Sequence, residues 1–194
     1  MSKRTFVLAF FAVTWLAAIA AGFSALQSYS ATPGVVGATP TVASPFIRAH
    51  QKPGRPLLVM AIHPECPCTD ASLSELGDLL ARSGGACDAL LLKYHAPGWS
   101  AGDPTAHVGA AQVPVILDLE GKIAASLGAE TSGYTLFYDA NGAVRFRGGI
   151  TVARGHVGRA EGQDLTLKLI NGENLPLSHT RVYGCALTKG RQSP

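Results

Sequence analysis

No block of basic residues occurs anywhere in the 194-residue chain; its 16 basic and 13 acidic residues are scattered and leave a formal net charge of only +3. Without a basic stretch interleaved with aromatics there is nothing to follow a phosphate backbone, and a nucleic-acid partner is excluded. No internal repeat is present. Charge is missing altogether from Thr5 to Leu26. Cysteine is scarce too, with four residues at 66, 68, 87 and 185.

The uncharged run from Thr5 to Leu26 is long enough, at about 22 positions, for a helix to cross a bilayer. Lys3 and Arg4 precede it and no basic residue comes after it before Arg48, a bias that keeps the N-terminus in the cytoplasm and exports the rest of the chain. Small residues near its end (Ala18, Ala20, Ser24, Ala25) also suit a cleaved signal peptide, giving a secreted form; the length of the run favours an uncleaved anchor. Both readings export the remainder, about 165 residues, enough for one domain with a core. The compartment then permits disulfides among the four cysteines, without fixing their connectivity.

Residues 1–27 are read as the membrane segment. Residues 28–55, rich in Pro, Gly, Ala, Ser and Thr without apolar periodicity, are read as a flexible tether, residues 56–172 as the domain, and residues 173–194 as a C-terminal tail. Leu57 to Ile62 is a wholly apolar run between Pro56 and Pro64, the pattern of a strand covered on both faces. Leu73, Leu76, Leu79 and Leu80 recur at helical spacing, with Pro67 suited to the first turn and Gly84-Gly85 as the stop. Ala89 to Tyr94 is a second buried strand, which implies a parallel crossover. His95 to Val113 reads as a long loop, Val115 to Leu117 as a short strand and Lys122 to Leu127 as a short helix. Thr135–Tyr138 and Ala143–Phe146 flank the turn Asp139-Ala140-Asn141-Gly142 as an antiparallel hairpin, and a last helix falls around Leu165 to Ile170.

Cys66 and Cys68, separated by Pro67, stand between the first strand and the first helix. A helix N-terminus presents unpaired N–H groups and the positive end of its dipole to the residues before it, and both favour a thiolate. This placement predicts thiol-disulfide exchange, with Cys66 attacking a partner disulfide and Cys68 resolving the mixed disulfide. Glu65 opposes the thiolate if ionised.

The strand, helix, strand, helix, hairpin, helix order with a cysteine pair after the first strand resembles the thioredoxin-like superfamily, an α/β fold with a mixed central sheet flanked by helices, here preceded by one transmembrane helix. Pro114 to Gly149, with Val115-Ile116-Leu117-Asp118, Leu127-Gly128-Ala129 and Asp139-Ala140-Asn141-Gly142, resembles the second half of exported, membrane-tethered thioredoxins of the TlpA and ResA type. The strings His63-Pro64-Glu65-Cys66-Pro67-Cys68-Thr69, Gly148-Gly149-Ile150-Thr151, Arg154-Gly155-His156 and Tyr183-Gly184-Cys185 resemble the bacterial subgroup labelled RedB. The resemblance implies an oxidoreductase at the bacterial inner membrane with its domain in the periplasm, acting on exported protein thiols or disulfides and recharged by a membrane or periplasmic electron donor, with no organic cofactor.

Two features depart from that family. Its active site is CxxC, whereas this chain has CxC, and a bridge across one residue stiffened by Pro67 would be strained. Where the family carries a cis-proline facing the cysteines, the alignment of Gly128 and Gly142 places Gly133, after Thr131 and Ser132. Ser132 and Thr131 either hydrogen-bond a sulfur or substrate backbone or merely cap turns. Arg154 either supports the thiolate or is an exposed arginine. Trp99 reads as a packing or rim aromatic.

A second reading comes from exported copper carriers of the Sco type, which bind metal through two cysteines and a distant histidine. Cys66, Cys68 and His156 could form such a copper set, with His63 as a fourth donor; His63 otherwise orients the loop, and a loop histidine such as His156 is otherwise simply solvated. A redox-inactive interaction domain is the third reading. Cys87 and Cys185 either bridge to staple the tail to the domain, or Cys185 is a shuttle thiol exchanging with Cys66.

Overall fold

The computed structural model describes residues 2–100 and 104–188. It divides into two compact units, Met1–Thr32 and Pro33–Pro194. The first is a single helix, α1 (Lys3–Ala31), in which the Ser2 hydroxyl accepts the Thr5 N–H as an N-cap. None of its residues is buried. It is long and apolar enough to cross a membrane, and extends past the expected boundary at residue 27.

The second unit is built on a seven-stranded sheet. Its strands are β1 (Leu57–Ile62), β2 (Asp88–His95), β3 (Thr105–Val108), β4 (Ala111–Leu119), β5 (Tyr134–Tyr138), β6 (Val144–Gly148) and β7 (Ser178–His179), in spatial order β3-β4-β2-β1-β5-β6-β7. β1 pairs in parallel with β2 and antiparallel with β5; β2 and β4 are parallel, β5 and β6 antiparallel. The helices are α2 (Pro45–His50), α3 (Thr69–Arg82), α4 (Lys122–Ser126) and α5 (Glu161–Ile170).

All six residues of β1 are buried, and their alternation divides the core. Leu57, Val59 and Ala61 face one layer with Ile47 of α2 and Ala124 of α4; Leu58, Met60 and Ile62 face the other with Leu76 and Leu79 of α3 and Leu169 and Ile170 of α5. A continuous apolar run marks a strand covered on both sides. The β5–β6 connection forms as expected: the Gly142 N–H donates to the Asp139 carbonyl (2.8 Å), with Gly142 at φ +77°.

Three sequence-based boundaries are revised. Most of the expected tether, 28–55, lies along the domain: the Gly34 N–H donates to the Val182 carbonyl (2.8 Å), the Gly37 N–H to Gly128 (2.9 Å), and Ala43 and Ile47 are buried. Gly34 and Gly37 allow close approach, since a Cβ on Gly34 would fall 2.3 Å from Thr131 Oγ1 and one on Gly37 3.2 Å from Gly128 Cα. The expected loop from His95 to Val113 contains β3 and the start of β4, paired antiparallel from Thr105 against Pro114 to Val108 against Ala111; its residues 101–103 lie outside the described residues. The expected tail, 173–194, contributes β7 to the sheet and buries Val182 and Leu187, while 189–194 lie outside the described residues.

Candidate active site

β1 ends at Ile62 and the chain turns at once. The Cys66 N–H donates to the His63 carbonyl (3.1 Å) and the Thr69 N–H to the Cys66 carbonyl (3.0 Å), so Cys66-Pro67-Cys68 forms the turn that leads into α3. Cys68 is the N-cap of that helix and, having no capping oxygen, makes no side-chain cap bond. Pro67 is exposed at the crest of this turn, where its missing N–H costs nothing. Both cysteines are nearly buried, Cys66 at 5% exposure and Cys68 at 8%.

Cys66 is covered by the segment expected to be a tail. The Cys66 and Cys185 sulfurs lie 2.9 Å apart, and the Cys185 N–H donates to Cys66 Sγ (3.4 Å). The sulfurs of Cys66, Cys68 and Cys185 all lie within 4.8 Å of one another. Residues 182–187 are held there by backbone pairing: the Ser132 N–H donates to the Cys185 carbonyl (2.8 Å), the Leu187 N–H to Glu130 (2.9 Å), and Thr131 bridges Ala186. Gly184 is required, because a Cβ there would fall 2.1 Å from the Ser132 carbonyl oxygen. That glycine, one residue before a cysteine, is the signal in the sequence for a close approach.

Ser132 is fully buried and holds the cysteine loop from the other side. Its Oγ accepts the His63 N–H (3.0 Å) and lies 3.2 Å from Thr69 Oγ1, whose hydroxyl donates to the His63 carbonyl. Thr131 Oγ1 donates to the Val35 carbonyl instead (2.7 Å). Gly133 occupies the position aligned to the family's proline at φ +89°, its N–H donates to the Ala61 carbonyl (2.8 Å), and no cis peptide occurs among the described residues. Proline fits neither that φ nor that hydrogen bond.

Arg154 reaches the site. Its guanidinium donates a short hydrogen bond to the Gly184 carbonyl, and its charge acts on both Cys68 and Cys185. His156 does not join: it is exposed, its Nδ1 lies 2.6 Å from the Arg154 carbonyl, and it is outside the sulfur cluster. The Cys66, Cys68, His156 copper set is therefore not assembled. His63 orients the loop, its ring stacked on Tyr94 (centroids 4.8 Å apart) and its Nδ1 accepting the Glu65 N–H (3.2 Å). Trp99 stands edge-on to His63 and Tyr94, a rim aromatic beside a 170 Å³ cavity lined by Pro64, Glu65, Lys93 and His95 among others.

Burial pushes the Cys66 thiol up, but hydrogen bonds from the Cys185 thiol and amide and from Cys68 outweigh it and hold Cys66 below the ordinary thiol value. Burial, then the charge of Cys66 and the hydrogen bond to it, push Cys68 up against the opposing charge of Arg154. Cys185 is pushed up to about 12 by burial, its hydrogen bond to Cys66, and the charges of Cys66 and Cys68. Cys66 is thus the most acidic of the three thiols, the pattern of a nucleophile beside two neighbours that hold their protons more tightly.

Cys87 takes no part. It precedes β2, whose Asp88 pairs with Leu57 at the start of β1, whereas Cys66 comes after the end of β1. The length of that strand separates them by roughly 17 Å, beyond disulfide reach. Burial pushes its thiol up to about 12. Of the two alternatives open for Cys185 in the sequence, a staple to Cys87 or a thiol beside Cys66, the structure has Cys185 beside Cys66.

Glu75 carries no signal in the sequence. Buried on α3, its carboxylate accepts the Gly158 N–H (2.6 Å) and the Gln163 side-chain amide (2.7 Å), fastening the site helix to the loop that carries Arg154 and to α5.

No protein-family model and no curated protein matches the chain. Solved structures do. A hypothetical protein from Sinorhizobium meliloti is 18% identical, covering 83% of this chain and 97% of its own, with a TM-score of 0.54. An uncharacterized conserved protein from Geobacillus kaustophilus is 14% identical, covering 84% and 96%, with a TM-score of 0.55. A secreted disulfide oxidoreductase from Mycobacterium tuberculosis aligns over 62% of this chain and 84% of its own at 18% identity, with a TM-score of 0.40. The strand order and directions of the sheet, with the cysteine turn between the central strand β1 and α3, give the domain a thioredoxin-like fold. In this thioredoxin-like domain the turn after β1 and the N-terminus of α3 place Cys66 and Cys68 at the end of the central strand, and the likeness speaks to the fold rather than to an activity.

Proposed function

We propose that the chain is a thiol-disulfide oxidoreductase whose nucleophile is Cys66, anchored through α1 at a bacterial inner membrane with its domain facing the periplasm. The observation that carries this reading is a Cys66 sulfur at the mouth of α3 receiving hydrogen bonds from its neighbours, an environment that favours the thiolate. Its clients are exported protein thiols or disulfides and its electron donor is another dithiol protein at the membrane or in the periplasm; no organic cofactor is needed. Because Cys66 is nearly buried, a client disulfide reaches it when the 183–186 segment lifts. Insulin reduction by the full chain in detergent, with dithiothreitol as electron source, tests the reading. Cys66→Ser abolishes the activity above background if it is right, and leaves it unchanged if it is wrong.

Copper binding is the second reading, favoured by three soft sulfurs within 4.8 Å of one another, a donor set suited to Cu(I). Competition with a Cu(I) chelator tests it: a copper protein loses the ion in Cys185→Ser and keeps it in His156→Ala. A redox-inactive interaction domain shows neither activity nor copper.

A further inference from the structure

We propose that Cys185, rather than Cys68, is the thiol that resolves the mixed disulfide formed at Cys66. This rests on the oxidoreductase reading and adds the identity of the second reacting sulfur.

A disulfide requires its sulfurs at about 2.05 Å, and Cys185 Sγ already stands 2.9 Å from Cys66 Sγ. The position is built rather than incidental: Ser132 holds the Cys185 carbonyl, Arg154 holds the Gly184 carbonyl, Thr131 bridges Ala186, and Gly184 lets the segment lie against Ser132. These separate contacts fix the residues on either side of one thiol. Cys68, by contrast, sits two residues after Cys66 in a turn closed by the Thr69 N–H on the Cys66 carbonyl, and Cys68 itself has right-handed helical dihedrals (φ −81°, ψ −10°). The Cys68 thiol hydrogen-bonds Cys66 and lies within 4.8 Å of it, but a bridge between these two would close a ring over a single intervening residue. Bridging them would reshape the turn that starts α3, and Pro67 stiffens that turn.

The exchange proceeds in two balanced steps. The Cys66 thiolate attacks one sulfur of a client disulfide, forming a Cys66–client bond and breaking the client S–S bond; the departing client thiolate takes the proton held by Cys185. The Cys185 thiolate then attacks Cys66 Sγ, the Cys66–Cys185 bond forms, and the second client thiolate leaves and is protonated from water. The client disulfide gains two electrons and the Cys66–Cys185 pair loses two. A reducing dithiol protein restores the pair by the same two exchanges in reverse.

The test uses the full chain in detergent micelles, reduced, exposed to oxidised glutathione, acid-quenched, alkylated and mapped by mass spectrometry. The wild-type protein yields a peptide pair joined through Cys66 and Cys185; a Cys66–Cys68 link, or any other pairing as the main product, overturns the proposal. In Cys185→Ser the Cys66–glutathione adduct persists at least tenfold longer than in the wild type, whereas in Cys68→Ser it resolves within twofold of the wild-type rate. Equal adduct lifetimes in Cys185→Ser and the wild type also overturn it. The wild-type map needs no variant, so a folding defect cannot imitate the result. If Cys66→Ser takes up glutathione as fast as the wild type, the oxidoreductase reading itself fails, which is a separate outcome.

Discussion

The sulfur of Cys185 sits 2.9 Å from that of Cys66, across a sequence separation of 119 residues. The last part of the described chain therefore closes over the turn after the central strand, and the chemistry of Cys66 is tied to whether that closure holds. The same contact that covers the nucleophile supplies two of the hydrogen bonds that stabilise its thiolate.

Oxidation of this pair is expected to raise thermal stability. A bond closing a loop this long constrains the unfolded chain by up to about 5 kcal/mol, which for a domain of this size is a rise of up to roughly 10–20 °C in Tm. Circular dichroism melts of the oxidised and reduced full chain measure it. The rise should persist in Cys68→Ser and vanish in Cys185→Ser.

Gly184→Ala probes the closure without touching a sulfur. The new Cβ meets the Ser132 carbonyl oxygen at 2.1 Å, so the 183–186 backbone has to move away from Ser132 and take Cys185 with it. Overpacking of this kind costs about 1–3 kcal/mol, and misplacing the attacking sulfur should slow Cys66–Cys185 bond formation roughly tenfold or more. Stopped-flow oxidation of the variant, compared with its urea melt, separates the two effects.

Gly133→Pro would restore the residue expected from the family at this position, and the structure predicts that it fails. The site needs φ +89° and an N–H for the Ala61 carbonyl, and proline supplies neither. The expected cost is about 3 kcal/mol or more, read as a fall in the urea midpoint; a variant as stable as the wild type would contradict the local geometry described for this loop.

Much of this arrangement is legible in the sequence. The apolar run Leu57–Ile62, the leucine spacing in α3 and the Asp139–Gly142 turn each carry a local signal that packing does not override, and together they define the centre of the sheet. The features that escape such a reading depend on contacts distant in sequence. The stretch after residue 33 has the composition of a tether although Gly34 and Gly37 serve close approach to the domain, and composition cannot tell approach from flexibility. Cys185 could be placed over Cys66 or against Cys87, and only the backbone pairing of 182–187 with 130–132 decides between them. The turn Cys66-Pro67-Cys68 is evident from its residues, but no spacing fixes the third sulfur beside it.

The most direct measurement of the central claim is the rate at which each cysteine of the reduced full chain is alkylated by iodoacetamide as a function of pH, resolved residue by residue by mass spectrometry. Alkylation needs the thiolate, and burial at Cys66 is outweighed by hydrogen bonds from Cys185 and Cys68, so Cys66 should react with a midpoint below the ordinary thiol value of 9.0. Cys68 should titrate above that value and Cys185 near 12. A Cys66 that stays unmodified at neutral pH, or reacts only at the pH where Cys68 and Cys185 do, would contradict the assignment of Cys66 as the nucleophile.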